Sequence, residues 1–112
     1  MIKDRIPDPR RILEIGSAEG AYTLMLAESY PSAKIRGIEI SSETINRARE
    51  KPHHYNDRIE LINADIIKYA PELDDNAYHV CIWSEAIYCV AAQRSITETY
   101  DLLESIIGKL KP

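Results

Sequence analysis

The 112-residue chain has no phenylalanine, one tryptophan, four glycines and only two cysteines, and each shortage excludes a class of molecule. No apolar stretch approaches the roughly 18 residues of a membrane span. The first ten positions carry Lys3, Asp4, Arg5 and Asp8 rather than the apolar segment of a secretory signal, so a cytoplasmic protein is expected. Cys81 lies inside an apolar run and Cys89 follows it; this is too little for a disulfide framework, and free thiols are expected. Positive charge is also short: 14 basic residues stand against 18 acidic ones, for a formal net charge of −4. The densest basic stretch, Arg47 to Lys51, is interrupted by Glu50 and reads as a solvated helix face, so no partner held by phosphate neutralisation, and no nucleic acid, is expected. A chain of this length buries about two-thirds of its unfolded surface, enough for one core. A single domain over residues 1–112 is expected, with little room for an enclosed substrate chamber.

What is present is a repeated alternation. Arg11 to Ile15 is a short apolar run stopped by Gly16; Gly20 opens a helical stretch from Ala21 to Tyr30, which Pro31 ends. Lys34 to Ile40 reads as a second strand, Ser41 or Ser42 as the cap of a helix with Glu43 in its first turn, and Pro52 as its close. A third strand is predicted over Arg58 to Asn63, a helical turn over Ile66 to Tyr69, a loop from Pro71 to Asn76 and a fourth strand over Ala77 to Trp83. The final helix, starting near Ala92, places Ile96, Tyr100, Leu103, Ile107 and Leu110 on one apolar stripe. Apolar strands separated by amphipathic helices predict an α/β, Rossmann-like doubly wound and mainly parallel sheet with helices on both faces.

In such a sheet a ligand lies beyond the carboxyl ends of the strands, at the point where strand order reverses. The first turn there reads Glu14-Ile15-Gly16-Ser17-Ala18-Glu19-Gly20. Gly16 is suited to a positive φ, Gly20 to a close backbone approach, and the amides of the following helix start to a carboxylate or phosphate. A dinucleotide fingerprint would want glycine at positions 16, 18 and 21, where the chain has Gly16, Ala18 and Ala21, so a hydride-transfer reading is weakened. Glu14, acidic within a buried strand, costs free energy unless something pairs with it.

The run Leu13 to Gly20 resembles the first motif of the class I S-adenosylmethionine-dependent methyltransferases, an acidic residue two before the first of three alternate glycines, with Ala18 at the middle one. The resemblance implies that Glu14 faces the ammonium of the cofactor's methionine end, and that Gly16, Ser17, Ala18 and Gly20 form the turn around it. Gly37-Ile38-Glu39-Ile40-Ser41 is similar to the second motif, which implies that Glu39 accepts from both ribose hydroxyls and that Ile40 packs on adenine; a helix-capping role for Glu39 is the plainer reading. Asn63-Ala64-Asp65-Ile66 resembles the adenine-binding segment, implying contacts from Ala64, Asp65 and Ile66, with Asp65 as a simple helix cap the alternative. The fourth strand is similar to the fourth motif, implying that Trp83 and Ser84 border the cofactor; His79 replaces an Asp there and reads as structural. Ser84 to Tyr88 has a shorter likeness to the nodulation-protein S type of small-molecule N-methyltransferases, and Gly108 to Pro112 looks like the lead-in to a fifth strand. The resemblance covers the first four strands of a seven-stranded family sheet, implying a shortened chain or an unusually short member.

The implied reaction is an in-line displacement in which an acceptor attacks the sulfonium methyl, so alignment and exclusion of water carry most of the catalysis. Glu85 is the candidate general base or acceptor-orienting group and Tyr88 a second, weaker candidate, with simple packing as the plain reading of both. His53-His54 lacks further ligands at metal spacing, and no metal site is expected. The sequence thus favours a methyltransferase acting with S-adenosyl-L-methionine on a small molecule; an NAD-dependent oxidoreductase fragment and a non-catalytic cofactor-binding domain are the alternatives. The fourth strand is expected to be an apolar edge, which would favour a homo-oligomer.

Overall fold

A computed structural model describes residues 9–18, 20–50, 57–83 and 96–111 of the chain. The expectations for Ser84, Glu85, Tyr88, Cys89, His53, His54 and the start of the last helix near Ala92 lie outside the described residues. Four strands are present: β1 (Arg11–Ile15), β2 (Lys34–Glu39), β3 (Ile59–Asn63) and β4 (Val80–Trp83). They alternate with helices α1 (Ala21–Ser29), α2 (Ser42–Glu50), α3 (Ile66–Tyr69) and α4 (Ile96–Ile107), and a 3-10 turn at Ala70–Glu72 follows α3. All strand pairs are parallel and the order is β3-β2-β1-β4. The order reverses between β1 and β4, so the switch point lies at the end of β1, as the α/β reading requires.

Each strand of the parallel sheet shows two faces to different layers. On one face Ile12, Ile35 and Val80 pack with Leu26 and Ala27 of α1 and with Tyr30. On the other, Leu13, Ile15 and Ile38 pack with Ile66, Leu73, Tyr78 and the α4 residues Leu102 and Ile106. Burying each such side chain contributes about 1.5–3 kcal/mol against leaving it in water, which is why β1, covered on both sides, tolerates almost no polar residue except Glu14. β3 is the other outer strand and remains half-exposed, so it is not buried on both faces as the central strands are.

Two expectations are corrected: β4 begins at Val80 rather than Ala77, because the Ala77 and Tyr78 amides both donate to the Lys109 carbonyl, and the apolar stripe of α4 is shifted. The buried face of α4 is centred on Leu102 and Ile106, whereas Tyr100 and Ile107 are 64% and 65% exposed. The cause is the pair of apolar doublets, Leu102-Leu103 and Ile106-Ile107, which permit two stripes about 100° apart on the helix surface; contact with the sheet selects the stripe one residue earlier. At the end of α4 the chain turns, and Leu110 bridges Tyr78 in parallel while the Lys111 amide donates to the Tyr78 carbonyl at 2.8 Å. Pairing beside the start of β4 therefore begins where the sequence suggested a further strand. Lys109 is buried and bonded to Asp75 at 2.8 Å.

Two side chains, His79 and Arg58, lock the amino ends of the strands. His79 Nδ1 accepts from the Arg10 and Arg11 amides at 3.3 and 3.2 Å, which ties β4 to the start of β1 and confirms its structural role. Arg58 donates to the carbonyls of Tyr30, Ala33 and Ala27, a cation placed where the end of α1 presents unsatisfied oxygens. An open groove of about 610 Å³ at this amino edge is lined by Arg11, Lys34, Arg36, Arg58, Glu60 and Tyr78 among others. It holds none of the predicted site residues, and its Arg36 is paired with Glu60 at 2.7 Å.

Candidate functional site

The carboxyl edge gathers the residues that end consecutive strands. Glu14 lies on β1 opposite Gly37 of β2 and Ile82 of β4, Glu39 ends β2 opposite Asn63, and Trp83 ends β4 opposite Ile15. The turn after β1 leaves sharply: Gly16 has φ 79°, Ala18 φ 52° and Gly20 φ 89°. All three alternate positions are thus left-handed, a conformation that costs an L-residue about 1–2 kcal/mol and glycine almost nothing. Ala18 bears that strain. The turn is held by the amides of Gly16 and Ser17, which both donate to the Ile38 carbonyl at 2.8 and 3.2 Å. Gly20 then caps α1 without a side-chain hydrogen bond.

Glu39 is the clasp of the site. Its Oε1 accepts from the Ala18 amide and its Oε2 from the Ser41 amide, both at 2.9 Å. Each carboxylate oxygen keeps a second lone pair, so the orientation is set while acceptor capacity remains. Ser41 takes over the capping function, its Oγ accepting from the Thr44 amide at 3.3 Å. Ile40, beside Glu39, is 65% exposed although apolar.

Asp65 caps α3, Oδ1 accepting from the Ile67 amide at 3.0 Å. Ala64 commits its amide to the Glu39 carbonyl at 3.1 Å, and Ile66 turns into the core, which leaves Ile66 no exposed side chain to offer a ligand. Trp83 packs against the α4 side of the core, and its buried Nε1 finds no partner among the described residues. The same is true of the Oγ of Ser17.

Glu14 is 2% exposed and accepts from the Thr23 hydroxyl of α1. Burial pushes its carboxyl up to about 7, with the Thr23 hydrogen bond opposing. No cation faces it among the described residues, where the Thr23 hydroxyl is the one group that favours its charged form.

Three participants were not singled out from sequence. Gly37 is required by packing: a Cβ there would lie 2.8 Å from Ser17 Cβ and 3.1 Å from Leu61 Cδ2. Asn63 donates to the carbonyls of Glu39 and Ile40 at 3.0 and 3.1 Å, fixing the end of β2 from β3. Thr23 is the third. Gly37, isolated between Arg36 and Ile38 inside β2, is the one visible signal, because a strand glycine marks a close approach.

The family described as "Methyltransferase domain" matches residues 12–106. Trans-aconitate 2-methyltransferase of Rhodopseudomonas palustris (strain BisB18) is 24% identical over 107 residues, covering 96% of this chain and 37% of that protein. The tRNA1(Val) (adenine(37)-N6)-methyltransferase of Vibrio parahaemolyticus is 31% identical over 67 residues, covering 58% of this chain and 28% of that protein. The chain therefore spans about a third of the length of these relatives. The crystal structure of an S-adenosylmethionine dependent methyltransferase from Mesorhizobium loti superposes with a TM-score of 0.73 at 21% identity, covering 94% of this chain and 43% of that one. Strand order, the glycine turn and a family match that spans nearly all of the described sheet agree, and the chain belongs to the methyltransferase domain family.

Proposed function

We propose that the chain binds S-adenosyl-L-methionine at the carboxyl edge of its sheet and forms the cofactor half of a methyltransferase. The observation that carries this reading is Glu14, a buried carboxyl near the end of β1 that faces no cation among the described residues. The methionine ammonium of the cofactor supplies the missing charge. The remaining residues fit the same group. Glu39 has a lone pair left on each oxygen for a ribose diol, and charge-assisted bonds of that kind are worth roughly 1.5–3 kcal/mol each before desolvation. Ile40 offers an exposed apolar face for adenine, and Asp65, Ser17 and Trp83 are proposed as further contacts, with the Ser17 Oγ and Trp83 Nε1 buried and without a partner among the described residues. Gly16, Ala18 and Gly20 keep the turn low enough for close approach, whereas Ala64 and Ile66 contribute backbone and packing.

When bound, the cofactor supplies an electrophilic methyl on a positively charged sulfur. The protein's part is to hold it in line with an acceptor and to exclude water. Glu85, just beyond β4, is proposed as the acceptor-orienting group or base, with Ser84 beside it. We propose a small-molecule acceptor: the ionisable residues proposed for the cofactor site, Glu14, Glu39 and Asp65, are all acidic, which disfavours a phosphate backbone alongside them. The tRNA-directed relative makes nucleic acid the comparison to run. A cytoplasmic setting belongs to the same proposal; among the described residues no helix is long and apolar enough to cross a membrane.

The test is calorimetric titration with S-adenosylhomocysteine. Saturable binding that Glu14→Ala and Glu39→Ala both weaken supports the reading. Preferential binding of NADH, or no heat at millimolar S-adenosylhomocysteine, overturns it.

A further inference from the structure

Thr23 is not among the residues proposed to touch the ligand, yet it is 1% exposed and donates its hydroxyl to Glu14 Oε1. The surroundings of that carboxyl leave it little else. The residues opposite Glu14, Gly37 on β2 and Ile82 on β4, carry no side-chain donor. The other titratable or charged groups on the packed elements are Arg11 of β1, Tyr22 and Glu28 of α1, Lys34, Arg36 and Glu39 of β2, and Cys81 of β4. None of them contributes to the titration of Glu14, which is governed by burial in one direction and by Thr23 in the other. Arg36 is engaged with Glu60 and Tyr78, and Glu39 with the Ala18 and Ser41 amides.

We propose that Thr23 is a positioning residue: its hydroxyl holds the Glu14 carboxylate aimed and ionised, and so sets the pH above which the site accepts the cationic methionine end of its cofactor. This rests on the cofactor reading given above. The physical chain is short. A protonated Glu14 offers an ammonium no charge, so affinity falls as the pH drops below about 7. A donor to the carboxylate stabilises the charged form, and removing it lets burial act unopposed. Glu14 then ionises only at higher pH, and the affinity curve moves with it. The ammonium, once bound, stabilises the same charge, so binding near neutral pH drives a proton off Glu14.

The experiment is titration of the full chain with S-adenosylhomocysteine between about pH 5.5 and 8.5, for wild type, Thr23→Val and Thr23→Ser. The wild-type affinity is expected to rise with pH and level off above neutrality, with protons released to buffer near pH 7. Thr23→Val is expected to bind at least about threefold more weakly at pH 5.5, the equivalent of half a pH unit, and to approach wild type at pH 8.5. Thr23→Ser, which keeps the donor, is expected to follow the wild-type curve. If the valine variant does not fold, Thr23→Cys keeps the size and weakens the donor, and an upward-shifted curve is expected from it as well. Superposition of the variant and wild-type profiles, or a loss of equal factor at every pH, overturns the role of Thr23 while the cofactor reading stands. Absence of wild-type binding at every pH overturns both.

Discussion

The Glu39 carboxylate accepts the Ala18 amide at 2.9 Å, so the residue that ends β2 holds the turn that follows β1. With its other oxygen on the Ser41 amide, the same side chain also orders the start of α2. The site is therefore cross-tied before any ligand arrives, and its binding residues double as structural ones.

That dual role changes what Glu39→Ala should do. Loss of a ligand contact alone would weaken binding with little effect on stability. The structure adds the loss of two charge-assisted bonds to partly exposed amides that water can partly replace, and we expect a cost of about 1–2 kcal/mol as well as weakened binding. Thermal unfolding and S-adenosylhomocysteine titration of the same variant measure the two effects. Unchanged stability would show that the clasp contributes nothing.

Gly37→Ala is expected to be more damaging than its size suggests. The added methyl would stand 2.8 Å from Ser17 Cβ, against backbone held by the Ile38 carbonyl, so overpacking of about 1–3 kcal/mol is expected. Combining it with Ser17→Gly removes the opposing methylene and should recover much of the loss. Denaturant midpoints of the single and double variants give the coupling directly; additive effects would place the strain elsewhere.

Ala18→Gly should stabilise the chain. The gain from relieving φ 52° is about 1–2 kcal/mol, and the extra freedom of glycine in the unfolded chain removes roughly half a kilocalorie or more of it. A rise of a few degrees in Tm is expected, and a fall would mean that Ala18 is not strained.

Glu14→Gln separates stability from binding. Because the native carboxyl is raised to about 7, the folded state holds the proton more tightly than the unfolded chain between about pH 4.5 and 7. Unliganded stability therefore declines across that window and is level above it. The shift sets a ceiling of about 3 kcal/mol on the cost at pH 8. Glutamine can still accept from Thr23 and carries no charge, so the variant is expected to be more stable than wild type at pH 8, nearly equal at pH 5, and unable to hold the ligand's ammonium. Scanning calorimetry at the two pH values checks the sign.

Cys81 should be slow to alkylate in the native state. Burial pushes its thiol up to about 12, so almost no thiolate exists at neutral pH. Thiol-reagent kinetics before and after unfolding measure the protection, and equal rates would contradict it.

Much of this molecule is written locally. Arg11–Ile15 and Ile66–Tyr69 fall where the apolar runs and breakers put them, and β2, β3 and α1 differ from the sequence reading by a residue at one end. Strand and helix depend on periodicity and on Gly and Pro over a few positions, and the carboxylates Glu14, Glu39 and Asp65 stand at strand ends in that local code. The tertiary structure alone decided which stripe of α4 is buried, because its doublets satisfy two. It also decided that Glu39 reaches across to Ala18, that Gly37 makes room for Ser17, and that Thr23 is the partner of Glu14. These contacts join separate elements with no periodic signal between them, and only the packing of α1 and β2 against β1 creates them.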